Sequence, residues 1–475
     1  MSIPKSIAAL AFLLAAAPVE AQRSGPQRGT APGSQGSGSN VLLVLVDDVG
    51  IEQLNSYGVG STVAFTPTID NLVATGVRFD RTWSTPYCSP TRSLLMTGRY
   101  GYRTGIGSVI GPGDDPLPIA ETTLPELVNA ATGGGYQLGA FGKWHLGEYI
   151  TSFATTGDLL SPNVHGWTHF VGTMQNVQNH YYYAKTENGV AREYFGYSST
   201  DIVDEFLLWE DEISGPWLAM LAFNAAHVPF TAPPPHLHNY DLEGKTPLSH
   251  PNDFFRAMIE ALDVELGRAL AGLGDELANT NVIFVSDNGT TPLGVVPPFN
   301  PDQSKGTVYQ GGVHVPLIIS GPAVSAGGSE CDALVHVADI YSTIAELCGV
   351  DLEQSYPPGV ELDSISLLPY LSSPYQPSLR DVLYTERFSP NAPEVIEQYD
   401  RAIRNVQYKL VVLEEFTPVY QRTEELYDLY WDPLELNNLL AGKLQPQAFL
   451  AYRDLLGELL GFAPAESNSP LFTTN

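Results

Sequence analysis

Five short stretches, apolar over nearly all consecutive positions, constrain this 475-residue chain more than any other feature. They are VLLVLV (41–46), YQLGAFG (136–142), WLAMLAF (217–223), NVIFVSD (281–287) and VPLIISG (315–321). A strand with one wet face alternates polar and apolar residues. A strand without that alternation is buried on both faces, in a sheet that helices cover. The intervening segments supply such helices. Thr66-Pro67 opens one over 67–75 that Gly76 closes. Pro90 near a first position marks another over 90–97. Thr123 and Glu126 have capping-box spacing ahead of 124–132, which stops at Gly133. Phe255, Met258, Ile259, Leu262, Leu266 and Leu270 keep helical spacing, and Ala338 to Leu347 reads as one more helix. Strands alternating with helices imply an α/β sandwich around a mostly parallel or mixed sheet.

The texture changes at SSPYQPS (372–378). Beyond it, VLYTER, RAIRNVQYKLVVL and ELYDLYWDP are shorter and alternate, which suggests a small antiparallel sheet. A terminal amphipathic helix follows, with Phe449, Tyr452, Leu455, Leu456 and Leu459 on its apolar side. The expected division is a large domain over 40–373 and a small α+β subdomain over 374–475. Ahead of both, Lys5, the apolar run 7–17 and the small residues Val19 and Ala21 read as a secretory leader cut after Ala21. Residues 22–39 are rich in Gly, Ser and Pro and read as a flexible linker. The expected location is therefore secreted or periplasmic, with no membrane span once the leader is removed.

The charge, 23 − 53 = −30, makes nucleic acid and anionic lipid unfavourable partners. Three cysteines exclude a scaffold built on disulfides. Two of them, Cys331 and Cys348, flank a strand-to-helix segment and are compatible with a bridge or with two buried thiols.

Asp47-Asp48 closes the first apolar run, and Asp287-Asn288-Gly289 closes another. Ligands of open α/β sheets sit at the carboxyl ends of strands. Adjacent carboxylates there repel unless cations neutralise them. The set is either two solvated turns or a hard-oxygen site suited to Ca²⁺, with Mg²⁺ second. Asn288-Gly289-Thr290 is also a formal glycosylation sequon, which a closed metal site would leave no room for. Cys88-Ser89-Pro90-Thr91-Arg92 starts a helix, where exposed N–H groups favour an anion, and Arg92 lies one turn on. Cys88 reads as a core thiol, or as a nucleophile if a base stands beside it.

The stretch CSPTRSLLMTGR (88–99) resembles the Cys-x-Pro-x-Arg motif, followed by Gly-Arg, of the type I sulfatases of the alkaline phosphatase superfamily. GKWHLG (142–147), AHVPF (226–230), SDNG (286–289), SKGTVYQGGVHVPLI (304–318) and ELYDLYWDPLELNNL (425–439) follow in the family's order, so the resemblance covers essentially 40–440. It implies an alkaline-phosphatase-like α/β/α sandwich with a small C-terminal antiparallel sheet. It implies that Cys88 is oxidised to Cα-formylglycine by a formylglycine-generating enzyme. It also implies a metal held by Asp47, Asp48, Cys88, Asp287 and Asn288, and contacts to the sulfate ester from Arg92, Lys143, His145, His227 and Lys305. Arg99 matches the motif's second arginine, with a structural role near the modified residue.

The implied chemistry is hydrolysis of a sulfate monoester. The hydrated aldehyde attacks sulfur, Lys143, Lys305, Arg92 and the metal stabilise the sulfuryl oxygens, and His227 with Lys305 protonates the leaving alcohol. His145 then takes the proton of the second hydroxyl, and sulfate is expelled. Two other readings stay open: a phosphonate or phosphate ester hydrolase of the same superfamily, and a metal-dependent binder of sulfated glycans with Cys88 unmodified. Aryl sulfates, sulfated sugars and small alkyl sulfates all stay open as substrates, and the resemblance leans towards carbohydrate sulfates. Residues 163–196, with Tyr181, Tyr182 and Tyr183, read as loops that line the pocket mouth or pack among themselves.

Overall fold

A computed structural model describes residues 38–149 and 159–462. The leader and nearly all of the linker lie outside them. At the centre is a ten-stranded sheet. From edge to edge it runs Ser329–Cys331, Val77–Phe79, Leu317–Ser320, Thr280–Ser286, Asn40–Val46, Trp217–Ala222, Gln137–Lys143, His169–Thr173, Tyr182–Glu187 and Val190–Phe195. The strands from Thr280–Ser286 to His169–Thr173 are mutually parallel. Leu317–Ser320 on one flank and the Tyr182–Phe195 hairpin on the other are antiparallel, so the sheet is mixed.

The first apolar run shows why no alternation was visible. Val41, Leu43 and Leu45 pack on one face with Leu95, Leu127, Val128 and Ile344. Leu42, Val44 and Val46 pack on the other with Ile69, Phe206, Met258 and Leu262. Helices Cys88–Thr97, Leu124–Ala131 and Asp339–Leu347 cover the first face. Helices Pro67–Thr75, Ser198–Glu212 and Pro251–Gly272 cover the second. The capping box of Thr123 and Glu126 is formed, with Glu126 Oε2 accepting from Thr123 N at 2.9 Å.

The structure departs from the sequence reading in several places. The stretch 163–196 is not loop alone, since it adds three strands to the sheet. Asn188 (φ 43°) and Gly189 (φ 85°) form a tight two-residue reversal that right-twisted strands favour. The helix expected at 90–97 begins at Cys88. Phe449 of the last helix is exposed, and Ala448 takes the buried position with Leu455 and Leu459. Cys331 and Cys348 are free buried thiols, so no bridge joins them.

The C-terminal strands Leu383–Ser389, Gln398–Arg404, Tyr408–Glu415 and Gln421–Asp428 form a meander of consecutive antiparallel pairs. One face packs on Leu94, Tyr100 and Tyr102, which belong to helix Cys88–Thr97 and the turn after it. The other face meets Trp83, Val308 and Val313. No helix among the described residues is long and apolar enough to cross a membrane.

Candidate active site

Register brings the chemistry together. Val46 stands opposite Ser286, Leu45 opposite Ala222, and Ala222 opposite Gly142. Four parallel strands thus end level, and the residues that follow each one enter a common space. Asp47 and Asp48 follow the first, and Asp287 and Asn288 follow the second. Lys143 ends the third, with His145 just beyond, and His227 follows the fourth. Backbone bonds extend the ladder past the strand ends, from Asp287 N to Val46 O (3.0 Å) and from Ala226 N to Asp47 O (2.9 Å).

Asp47, Asp48, Asp287 and Asn288 are fully buried, and so is Lys143. Lys143 pairs with Asp47 and Lys305 with Asp48. Arg92 donates to Asp287 Oδ2 from Nη2 (2.9 Å) and from Nε (3.3 Å), to Asp47 Oδ2 (3.4 Å) and to the Lys143 carbonyl (2.7 Å). The sequence reading offered Arg92 as a sulfate contact. Here its donors are turned to the carboxylates, which it orients.

Three acceptors in this cluster find no donor: Asp47 Oδ1, Asp48 Oδ2 and Asn288 Oδ1. A buried acceptor left without a partner costs about 1–3 kcal/mol, so three in one place fit a site that a shared ligand would satisfy. Hard oxygens of this kind suit Ca²⁺ or Mg²⁺. Among the described residues, ligand atoms of Asp47, Asp48 and His227 lie within 4.8 Å of one another. Asp287 also faces the cluster, but Oδ1 accepts from Asp48 N (3.3 Å) and Oδ2 from Arg92. Asn288 Nδ2 donates to Asp48 Oδ1 at 2.7 Å, which leaves no room for a glycan on it.

Electrostatics agree with a cation. Burial would raise the Asp47 carboxyl, but Lys143, His227, Arg92 and Lys305 together hold it well below the usual carboxylate range. Burial pushes Asp48 and Asp287 up, and Asp47 beside them adds to it. A divalent ion among the three carboxylates would reverse that crowding. Asp48 (φ 65°) and His145 (φ 62°) both hold the left-handed backbone conformation, uncommon outside glycine.

Cys88 opens its helix with 1% of its surface exposed, and its Sγ is 3.3 Å from His145 Nδ1. Burial raises the thiol, so an unmodified Cys88 is a poor nucleophile despite that neighbour. Burial and then Lys143 and Arg92 hold His145 neutral. Burial, with Lys305 and Lys143, lowers His227 to about 4, against the pull of Asp47. His227 Nδ1 donates to the Val228 carbonyl at 2.6 Å, which leaves Nε2 for exchange.

Residues 39–350 match the family described as Sulfatase. The chain belongs to the sulfatase family. Residues 303–456 also match the family described as N-sulphoglucosamine sulphohydrolase, C-terminal. Arylsulfatase J of Mus musculus is 26% identical over 380 residues, 76% of this chain and 59% of that protein. The uncharacterized sulfatase YdeN of Escherichia coli is 29% identical over 387 residues, 71% of this chain and 66% of that protein. The match thus spans less than two thirds of either relative's length. A protein solved in complex with its substrate D-glucosamine-2-N,6-O-disulfate shares the fold, with a TM-score of 0.70 and 19% identity over 89% of this chain and 97% of that one.

Within this sulfatase-family site, sequence reasoning missed the supports. His180 is buried, with Nε2 at 3.1 Å from the His227 carbonyl and Nδ1 at 2.9 Å from Ser198 Oγ. Glu52 is buried beside Thr290, two residues past Asn288, with its Oε1 accepting from Gln53 at 2.9 Å. Neither lies in a motif, and no local signal marks them. Arg99 is not near Cys88. It lies past the far end of that ten-residue helix, bidentate to Glu121 at 2.6 Å and bonded to the Glu361 carbonyl. Its role is to fix that end of the helix.

Proposed function

We propose that the chain hydrolyses sulfate monoesters, aryl or carbohydrate, using formylglycine made from Cys88 and a divalent cation, with Ca²⁺ favoured over Mg²⁺. One observation carries the reading. Three donorless acceptors, the buried Lys143, the half-buried Lys305 and the Cys88–His145 pair converge where four parallel strands end. The three carboxylates and the three cations Arg92, Lys143 and Lys305 balance, so a bound dication leaves a net charge of about +2 for an anion.

Bound together, the cation and the hydrated aldehyde supply charge stabilisation and an oxygen nucleophile whose second hydroxyl allows sulfate to leave. The rest falls to the chain's own side chains. Asp47, Asp48 and Asn288 offer the free oxygens that hold the ion, and Arg92 keeps Asp47 and Asp287 aimed. Lys143 and Lys305 are placed to stabilise charge on the sulfuryl oxygens. His145 Nδ1, neutral and next to position 88, takes the proton released there. His227 is neutral at rest. The negative charge of a bound ester raises it towards the imidazolium that protonates the leaving oxygen, with Lys305 alongside. Because Cys88 is 1% exposed, the modifying enzyme reaches it before the chain folds. Export rests on the leader-like residues 1–21 alone.

The test joins two measurements on protein from its native cells. Mass spectrometry of the peptide Thr82 to Arg92 reports aldehyde or thiol at position 88, and turnover of 4-nitrophenyl sulfate is compared with that of 4-nitrophenyl phosphate. Aldehyde with preferred sulfate turnover supports the reading. A plain thiol sinks it, and preferred phosphate turnover replaces it with the phosphate-ester alternative.

A further inference from the structure

Lys305 stands on a stretch that carries neither helix nor strand. Residues 304–309 lie between the short helices Pro301–Gln303 and Gln310–Val313. The stretch supplies one turn of its own, from Thr307 N to the Ser304 carbonyl at 3.1 Å. A lysine has a flexible four-carbon stem, so its ammonium keeps one place only if the backbone beneath it is fixed. Two bonds fix that backbone from the large domain. Lys305 N donates to the Thr290 carbonyl at 3.0 Å, and Gly306 N to the Pro86 carbonyl at 2.9 Å. The residues that follow are held by the C-terminal sheet.

That hold runs along the chain nearly residue by residue. Arg387 Nη1 donates to the Gly306 carbonyl at 2.5 Å, while its Nε donates to Asp400 Oδ2 at 2.6 Å, so the guanidinium is held from two sides. Lys409 Nζ donates to the Val308 carbonyl at 2.7 Å. The Tyr309 hydroxyl donates to Glu425 Oε2 at 2.7 Å. Gln310 N donates to Glu435 Oε2 at 2.5 Å. Lys409 is fully buried and paired with Glu435, whose own backbone is left-handed (φ 59°). A buried ion pair is a weak source of stability, because apolar side chains of the same volume often serve as well. What distinguishes this pair is where its remaining capacity goes. The lysine binds the backbone at Val308 and the glutamate binds it at Gln310, both on the segment that leads from Lys305.

We propose that Arg387 and Lys409 are positioning residues for Lys305. Through the backbone of 306–310, the C-terminal sheet sets where the Lys305 ammonium meets the leaving oxygen of the ester. The inference rests on the sulfate-ester reading above, and its test separates the two. Metal-loaded protein of measured formylglycine content is assayed on two esters. The leaving oxygen of 4-nitrophenyl sulfate needs little protonation, and that of phenyl sulfate needs more. Lys305→Ala is the reference, and Arg387→Met and Lys409→Met are made alone and on that background. Arg387→Met keeps the apolar stem of a side chain that is 21% exposed, so it decides the outcome if Lys409→Met does not fold. Each folded variant should lower kcat/KM about tenfold for phenyl sulfate, about threefold or less for 4-nitrophenyl sulfate, and less than about twofold further on the Lys305→Ala background. A support acting on the fold alone would slow both esters alike and would add in full to Lys305→Ala. Either of those results, or folded variants within about twofold of the parent on both esters, overturns the inference and leaves the sulfate-ester reading standing. A Lys305→Ala protein as active as the parent on both esters does the same. If the parent cleaves neither ester, the sulfate-ester reading falls and the inference falls with it.

Discussion

Two buried polar clusters in this molecule look alike in composition and differ in how they are satisfied. In the C-terminal sheet, Glu386 accepts from the Tyr384 hydroxyl (2.8 Å), the Tyr399 hydroxyl (2.6 Å) and the Tyr102 amide (2.8 Å). Nearby, Arg401 meets Glu414 at 2.5 Å, and Lys409 meets Glu435 at 2.5 Å. Each charge there has an opposite charge or a set of donors within the chain, although Arg401 Nε finds no acceptor and Glu435 Oε1 has no partner beyond its ion pair with Lys409. At the ends of the central strands, Asp47, Asp48 and Asn288 each keep a buried oxygen with no donor. Burial of charge alone therefore does not mark a site. Three unmet oxygens on adjacent side chains at converging strand ends do, because one cation there would relieve all of them together.

The sharpest way to break this contrast is at position 88. Cys88→Ala should lower kcat/KM for a sulfate ester by at least about a thousandfold, while metal binding persists, because only the nucleophile is lost. Steady-state kinetics with calorimetric metal titration would check this. Retained turnover would remove position 88 from the chemistry. Next comes the ion. Asp48→Ala, or a chelator on the parent protein, should cost roughly a hundredfold in kcat. Added Ca²⁺ at a hundred times its Kd should stabilise the parent by about 2.7 kcal/mol but not the variant. Denaturant titration with and without Ca²⁺ reads this, and equal responses would show that the donorless acceptors are not a metal site.

The satisfied cluster should answer differently. Glu386→Ala orphans three donors and should destabilise the fold by about 3 kcal/mol, with metal stoichiometry unchanged. A variant that loses the metal and keeps its stability would erase the distinction drawn here. The smallest effect expected is at the support. His180→Ala should reduce kcat about tenfold with little change in metal affinity, since it holds the His227 backbone and bonds to none of the three donorless oxygens. A shift in metal affinity larger than that in kcat would instead assign His180 to the ion.

Much of the fold was legible because burial on both faces leaves a plain mark. VLLVLV, with Asp47-Asp48 at its end, announced a central strand and where its chemistry would sit. The helix at 67–75 and the capping box at Thr123 and Glu126 were readable because their signals span only a few residues. The hairpin at Tyr182–Phe195 was not. Its outer strand is largely exposed, so it carries no buried-strand pattern. The apolar side of the last helix was misjudged at Phe449 for a similar reason. Periodicity gives a stripe, but only packing decides which edge of the stripe is covered.

The sequence by itself determined the sheet's inner strands, the carboxylates at their ends and the Cys88-to-Arg99 motif, since each depends on residues close together in the chain. Tertiary structure alone decided that Lys143 meets Asp47 across 96 positions and that Lys305 meets Asp48 across 257. It alone turned Arg92 onto the carboxylates, sent Arg99 to Glu121 and put His180 behind His227. The physical reason is that strand register sets these distances, and register is settled by how both faces of the sheet pack.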